Sequence, residues 1–148
     1  MKLRGPEDRD GAAATISLLC YSGEKFFTEH RQYINARWNH MLREDYNEKK
    51  EMVPVVVAGL KGVAFSMKTF ELASRPSLRN MPSKPDDGSR IYEIAPPSKK
   101  VIMAERTIVL PAGKGFYVLL YRAPEDTAGE YQKIFEDVTG SYHPQVKQ

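Results

Sequence analysis

At 148 residues, with 41% apolar and 28% charged side chains, the chain has the size and composition of a single globular domain spanning 1–148. Its 22 Lys and Arg against 19 Asp and Glu leave a net charge of +3, dispersed along the chain, which argues against nucleic acid or anionic lipid as a partner. A lone cysteine excludes an internal disulfide, and no apolar run reaches the roughly 18 residues that a membrane-spanning helix requires.

The opening MKLRGPEDRDGA carries charges where a secretion signal has its apolar core. Residues 12–22, AAATISLLCYS, read as a strand between Gly11 and Gly23. Ile16 to Leu19 ahead of Cys20 faintly match a lipoprotein signal. With no long apolar stretch before them, the better reading of Cys20 is a buried, inert thiol. From Lys25 to about Asp45 the period becomes helical, with Phe27, Ile34, Trp38, Met41 and Leu42 on one stripe. Two strands follow, Val53 to Val57 and Val63 to Phe70, around the turn Ala58 to Gly62; Pro54 suits a strand start or a sheet edge.

Residues 73–90 carry three prolines and read as a long mobile loop. A short strand is expected at Ile91 to Ile94 and a longer one at Val101 to Leu110. After the turn Pro111 to Gly115, Phe116 to Arg122 is apolar at nearly every position, the mark of a central strand covered on both faces. A final helix opens after Pro124 and carries Tyr131, Ile134, Phe135 and Val138 on its apolar face. The sum is an α+β chain, expected as an α/β/α sandwich: a mostly antiparallel twisted sheet with a helix on each face.

No catalytic, cofactor or metal site emerges. Gly113-Lys114-Gly115 lacks the spacing, the Ser/Thr and the following helix of a phosphate loop, so it is a hairpin turn. His30 and His40 stand ten residues apart and cannot share a metal as an i, i+4 pair does. No Gly-x-Ser-x-Gly elbow exists. Tyr121-Arg122 and Arg90-Ile91-Tyr92 interleave aromatic and cationic groups. They fit an aromatic at the core rim better than an interface anchor.

The run Val55-Val56-Val57-Ala58-Gly59-Leu60-Lys61-Gly62, then Glu105 to Leu110, then Gly115 to Pro124 with the closing helix Tyr131 to Val138, resembles the PsbP/DcrB-like α/β/α sandwich superfamily over residues 12–142. Such domains usually begin with an apolar hairpin, and only Met1 to Pro6 precedes the loop to the first strand expected here, at 12–22. The resemblance implies a non-enzymatic binding or accessory module with a protein partner. It also implies a bacterial protein, exported or membrane-tethered if a signal has been removed upstream and cytoplasmic otherwise. It supplies no catalytic residues. The expected contact surface is the basic loop with its flank: Arg75, Arg79, Arg90, Tyr92, Lys99 and Lys100. The alternative is a small-molecule or lipid binder with a pocket between the long helix and the sheet, near Tyr33 and Trp38.

Overall fold

The structure, a computed structural model, describes residues 1–8, 10–23, 26–40, 52–74 and 98–143. In chain order these form β1 (Lys2–Glu7), β2 (Ala13–Tyr21), α1 (His30–His40), β3 (Val53–Val57), β4 (Leu60–Ser74), β5 (Ser98–Ala112), β6 (Gly115–Pro124) and α2 (Ala128–Ser141). The strands make one sheet in the order β1-β2-β6-β5-β4-β3, antiparallel at every step. After the β1–β2 hairpin at one edge the chain resumes as β3 at the other edge. It then meanders back until β6 pairs with β2.

Local chemistry fixes the turns. Val57 pairs with Leu60, leaving only Ala58 and Gly59 in the connection, both left-handed at φ 50° and 80°. That is the two-residue turn whose twist matches a hairpin. Three residues later, a Cβ on Gly62 would stand 2.0 Å from the Val109 carbonyl oxygen, so β4 and β5 meet only because no side chain is there. Pro54 lies on the edge strand β3, where its missing N–H weakens no central ladder.

Directly paired residues share a face, and the two faces of β6 enter separate clusters. Phe116, Val118 and Leu120 pack with Tyr33 and Ile34 of α1. Leu119, Tyr121 and Ala123 pack with Phe135 of α2. The unbroken apolar run thus marks a central strand, flanked by β2 and β5.

The expected sandwich is corrected. Among the described residues strand accounts for 56% and helix for 23%, and the architecture is an open antiparallel sheet. The helices span 11 and 14 residues, while β4 and β5 alone run 15 residues each, so neither helix forms a covering layer. The imbalance has local causes. β4 and β5 extend through Glu71, Lys99, Lys100 and Pro111, whose polarity or shape suggested loop. β1, where no strand was expected, forms as an edge strand, and its register shift between Arg4 and Glu7 accommodates Pro6. Cys20 is a second correction. It is exposed, near the end of β2, so the thiol is not buried as expected. The loop expected at 73–90 is corrected at its start, where Ala73 and Ser74 pair with Lys99 and Ser98 in the sheet; its remainder at 75–90, helix beyond His40 and the short strand at 91–94 lie outside the described residues.

Candidate functional site

The face under α1 is filled. Tyr21 stacks on Phe116 at 4.7 Å between ring centroids, Phe27 and Tyr33 meet edge-on at 5.3 Å, and Trp38 stands edge-on to Phe65 at 5.8 Å. Burial pushes the Tyr33 hydroxyl up to about 12, against a partial opposing pull from the Arg37 guanidinium. Beside these rings sits a buried ionic cluster centred on Glu105, whose side chain is 5% exposed. Arg37 Nη2 donates to Glu105 Oε2 at 2.6 Å, and Thr69 Oγ1 donates to Oε1 at 3.0 Å. Arg122 Nε approaches the same Oε1 at 2.9 Å as an ion-pair contact, without the angle of a hydrogen bond, and Arg122 Nη1 reaches Glu71 Oε2 at 2.9 Å. Two guanidiniums thus neutralise one buried carboxylate, and the second also binds Glu71. The cluster ties α1 to β4, β5 and β6, and its charges face one another.

Among the described residues the opposite face is only half covered. α2 is anchored by Phe135, 1% exposed and stacked on Tyr121 at 5.5 Å, and Tyr121 donates its hydroxyl proton to the Ala128 carbonyl. These contacts hold the helix over β6 and β2, and among the described residues nothing covers the β5–β4–β3 half of the sheet beside it. Two cavities follow. One, of about 420 Å³, lies between α2 and β3, with Val55, Val57, Ile108, Phe135 and Gly140 among its walls. The other, about 240 Å³, lies nearer the start of α2 and is bounded by Ser66, Lys68, Ala128 and Gln132. Arg106 belongs to both. The helix residues involved, Ala128, Gln132, Phe135, Glu136, Thr139 and Gly140, recur every three or four positions and so form one side of α2. The cavities are therefore two stretches of one groove running along the helix for about 18 Å, at 1.5 Å per residue.

Arg106 is half-buried on this floor, paired in register with Ser66 on one side and Tyr121 on the other. Among the described residues its guanidinium has no hydrogen-bond or ion-pair partner. Neighbouring charges are engaged: Lys68 Nζ lies 2.6 Å from Glu125, and Glu136 accepts from Gln132 at 2.9 Å. A guanidinium offers five donors in a planar fork that matches a carboxylate. A third cavity, about 360 Å³ and lined by His30, Arg31 and Lys61 among others, lies by the first turn of α1; its two cations are exposed.

Of the residues expected to form a contact surface, Arg75, Arg79, Arg90 and Tyr92 lie outside the described residues. Lys99 is held by Asp10 at 2.8 Å and Lys100 lies over the Phe70 ring at 3.8 Å; as neighbours in β5 they point to opposite faces. Tyr33 and Trp38 help fill the α1 interface and border none of the three cavities. Sequence reasoning missed Glu105 and Arg106. A signal for the first was present: Glu105 is in phase with Met103, Thr107 and Val109, so alternation places a carboxylate on a buried row.

No family model matches the chain, and no curated protein matches it. Among solved structures, it is similar to PA94 from Pseudomonas aeruginosa, a protein of unknown function described as a candidate regulator. The TM-score is 0.57 at 7% identity, covering 98% of this chain and 82% of that one. The likeness establishes a shared fold and nothing about activity. No helix among the described residues is long and apolar enough to cross a membrane.

Proposed function

We propose that this protein is a non-enzymatic binding module that holds an extended segment of a partner protein in the groove beside α2. This is the kind of role that the PsbP/DcrB resemblance implies. The observation that carries the reading is the sheet left half-covered among the described residues: a groove of about 18 Å, walled at its β3 end by Val55, Val57, Ile108 and Phe135. An extended chain at about 3.3 Å per residue would fill it with roughly five residues. Support also comes from the charges of the opposite face, which are engaged with one another in holding α1. No comparable observation favours a small-molecule pocket beside Tyr33 and Trp38, since both side chains pack into the core.

A displayed library of random peptides, panned on the purified protein, tests this. The wild type should enrich peptides that bind in solution. Gly140→Leu should weaken them about tenfold or more, by placing an isobutyl group in the groove. The variant is expected to fold, because a Cβ at Gly140 meets nothing within 4 Å and leucine is the better helix former. No enrichment, or equal affinity for the leucine variant, would count against the groove.

A further inference from the structure

Resting on that reading, we infer that the groove selects for acidity: the bound segment carries an Asp or Glu at its centre, and Arg106 receives that carboxylate. Position is the first argument. Arg106 is the floor residue common to both stretches of the groove, with Ala128 and Gln132 on one side of it along α2 and Thr139 and Gly140 on the other. A segment laid along the helix would cross it midway.

Charge is the second argument. Arg106 is half-buried, so it has given up part of its hydration, and it has no acceptor among the described residues. Lys68 is taken by Glu125. Glu136, which lines the same stretch, is exposed and bonded to Gln132 and makes no ion pair with Arg106. A cation uncompensated among the described residues calls for one negative charge. A carboxylate supplies that charge with a matching pair of acceptors, whereas a phosphate would bring close to two and leave one unbalanced. Shape is the third. Val55, Val57, Ile108 and Phe135 line only the stretch on the Thr139 and Gly140 side of Arg106, so the position two residues from the acid on that side of an extended chain meets aliphatic surface, while the other flank meets Ser66, Lys68 and Gln132. The segment expected pairs the acid with one aliphatic residue two positions away.

The test repeats the panning with wild type, Arg106→Met and Arg106→Lys, each first checked for fold by circular dichroism. Wild type should enrich Asp or Glu flanked two residues away by Val, Ile or Leu. Arg106→Met should still select extended aliphatic peptides but lose the acidic preference. Arg106→Lys should keep a weaker one. A selected peptide remade with Gln for Glu should lose about 10- to 100-fold in affinity for wild type, the range of a charge-assisted hydrogen bond, and almost nothing for Arg106→Met. The wild-type affinity should also fall with added NaCl. If wild type and Arg106→Met enrich the same neutral peptides, the acidic selectivity is refuted while the groove stands. If none of the three proteins enriches any peptide, the groove reading fails and this inference fails with it. Should Arg106→Met not fold, the lysine variant and the Glu/Gln peptide pair decide, an unchanged ratio between the peptides overturning the proposal.

Discussion

Glu105 and Arg106 are neighbours on β5, and the pleat sends them to opposite faces of the sheet. On the α1 face the carboxylate meets two guanidiniums and a threonine hydroxyl and is almost dry. On the α2 face the guanidinium meets no counter-charge among the described residues and borders a groove. One strand thus carries a charge that serves the fold next to a charge that does not. The difference follows from where each helix sits: α1 lies across the charged row and seals it, whereas Phe135 and Tyr121 hold α2 to one side of Arg106. Charge that is internally balanced holds structure together. Charge left unbalanced beside a groove is where recognition should be sought.

The contrast breaks hardest at Glu105. Glu105→Ala leaves Arg37 and Arg122 facing each other without their carboxylate, and a buried pair broken on one side costs about 3–5 kcal/mol. Chemical denaturation should show a fall of that size in unfolding free energy with an unchanged m-value. A loss below about 1 kcal/mol would mean that water already screens the cluster, and that the α1 face is no drier than the groove.

Alkaline titration sharpens the comparison, because each face holds one buried tyrosine. Burial raises Tyr33 under α1 to about 12, and burial raises Tyr121 under α2 to about 12, against a usual 10. Between those limits the folded state keeps a proton that the unfolded chain releases. Stability from both groups is therefore complete below pH 10 and is lost as pH rises through about 12, up to roughly 2–3 kcal/mol for each tyrosine. Phenolate absorbance should show both late in the native protein, assigned through Tyr33→Phe and Tyr121→Phe. If Tyr121 titrates near 10 while Tyr33 stays late, the groove extends water as far as the Tyr121 ring.

The central strand was legible because both sides of β6 are apolar, a pattern that only burial on two faces produces. The hairpin at Ala58-Gly59 was legible as a turn, although the length of β4 was not: Lys61 and Glu71 are polar, yet both are in the ladder because backbone pairing ignores side-chain polarity. The short helices that reduced the expected sandwich to an open sheet were hidden for a similar reason. The apolar stripe from Phe27 to Leu42 specifies a helical period without specifying where it begins; in the structure α1 starts at His30 and leaves Phe27 outside it. The groove could not be read at all. It exists because α2 stops short of β3, a question of tertiary placement. Arg106 looks like any solvent-facing cation until its neighbours are known.

The smallest expected effect is the counterpart of the largest. Arg106→Met keeps most of the side chain's length and its packing against the floor, and it removes a charge that no described group balances. Substitution away from ion pairs and caps ordinarily falls within about 0.5 kcal/mol. A slight gain is reasonable here, since a half-desolvated cation without an acceptor is an unfavourable thing to fold around. Denaturation of this variant beside Glu105→Ala should therefore separate two adjacent residues by several kcal/mol. A cost above about 2 kcal/mol for Arg106→Met would show that the guanidinium is bound within the fold after all. The groove would then have to recognise its segment by shape alone.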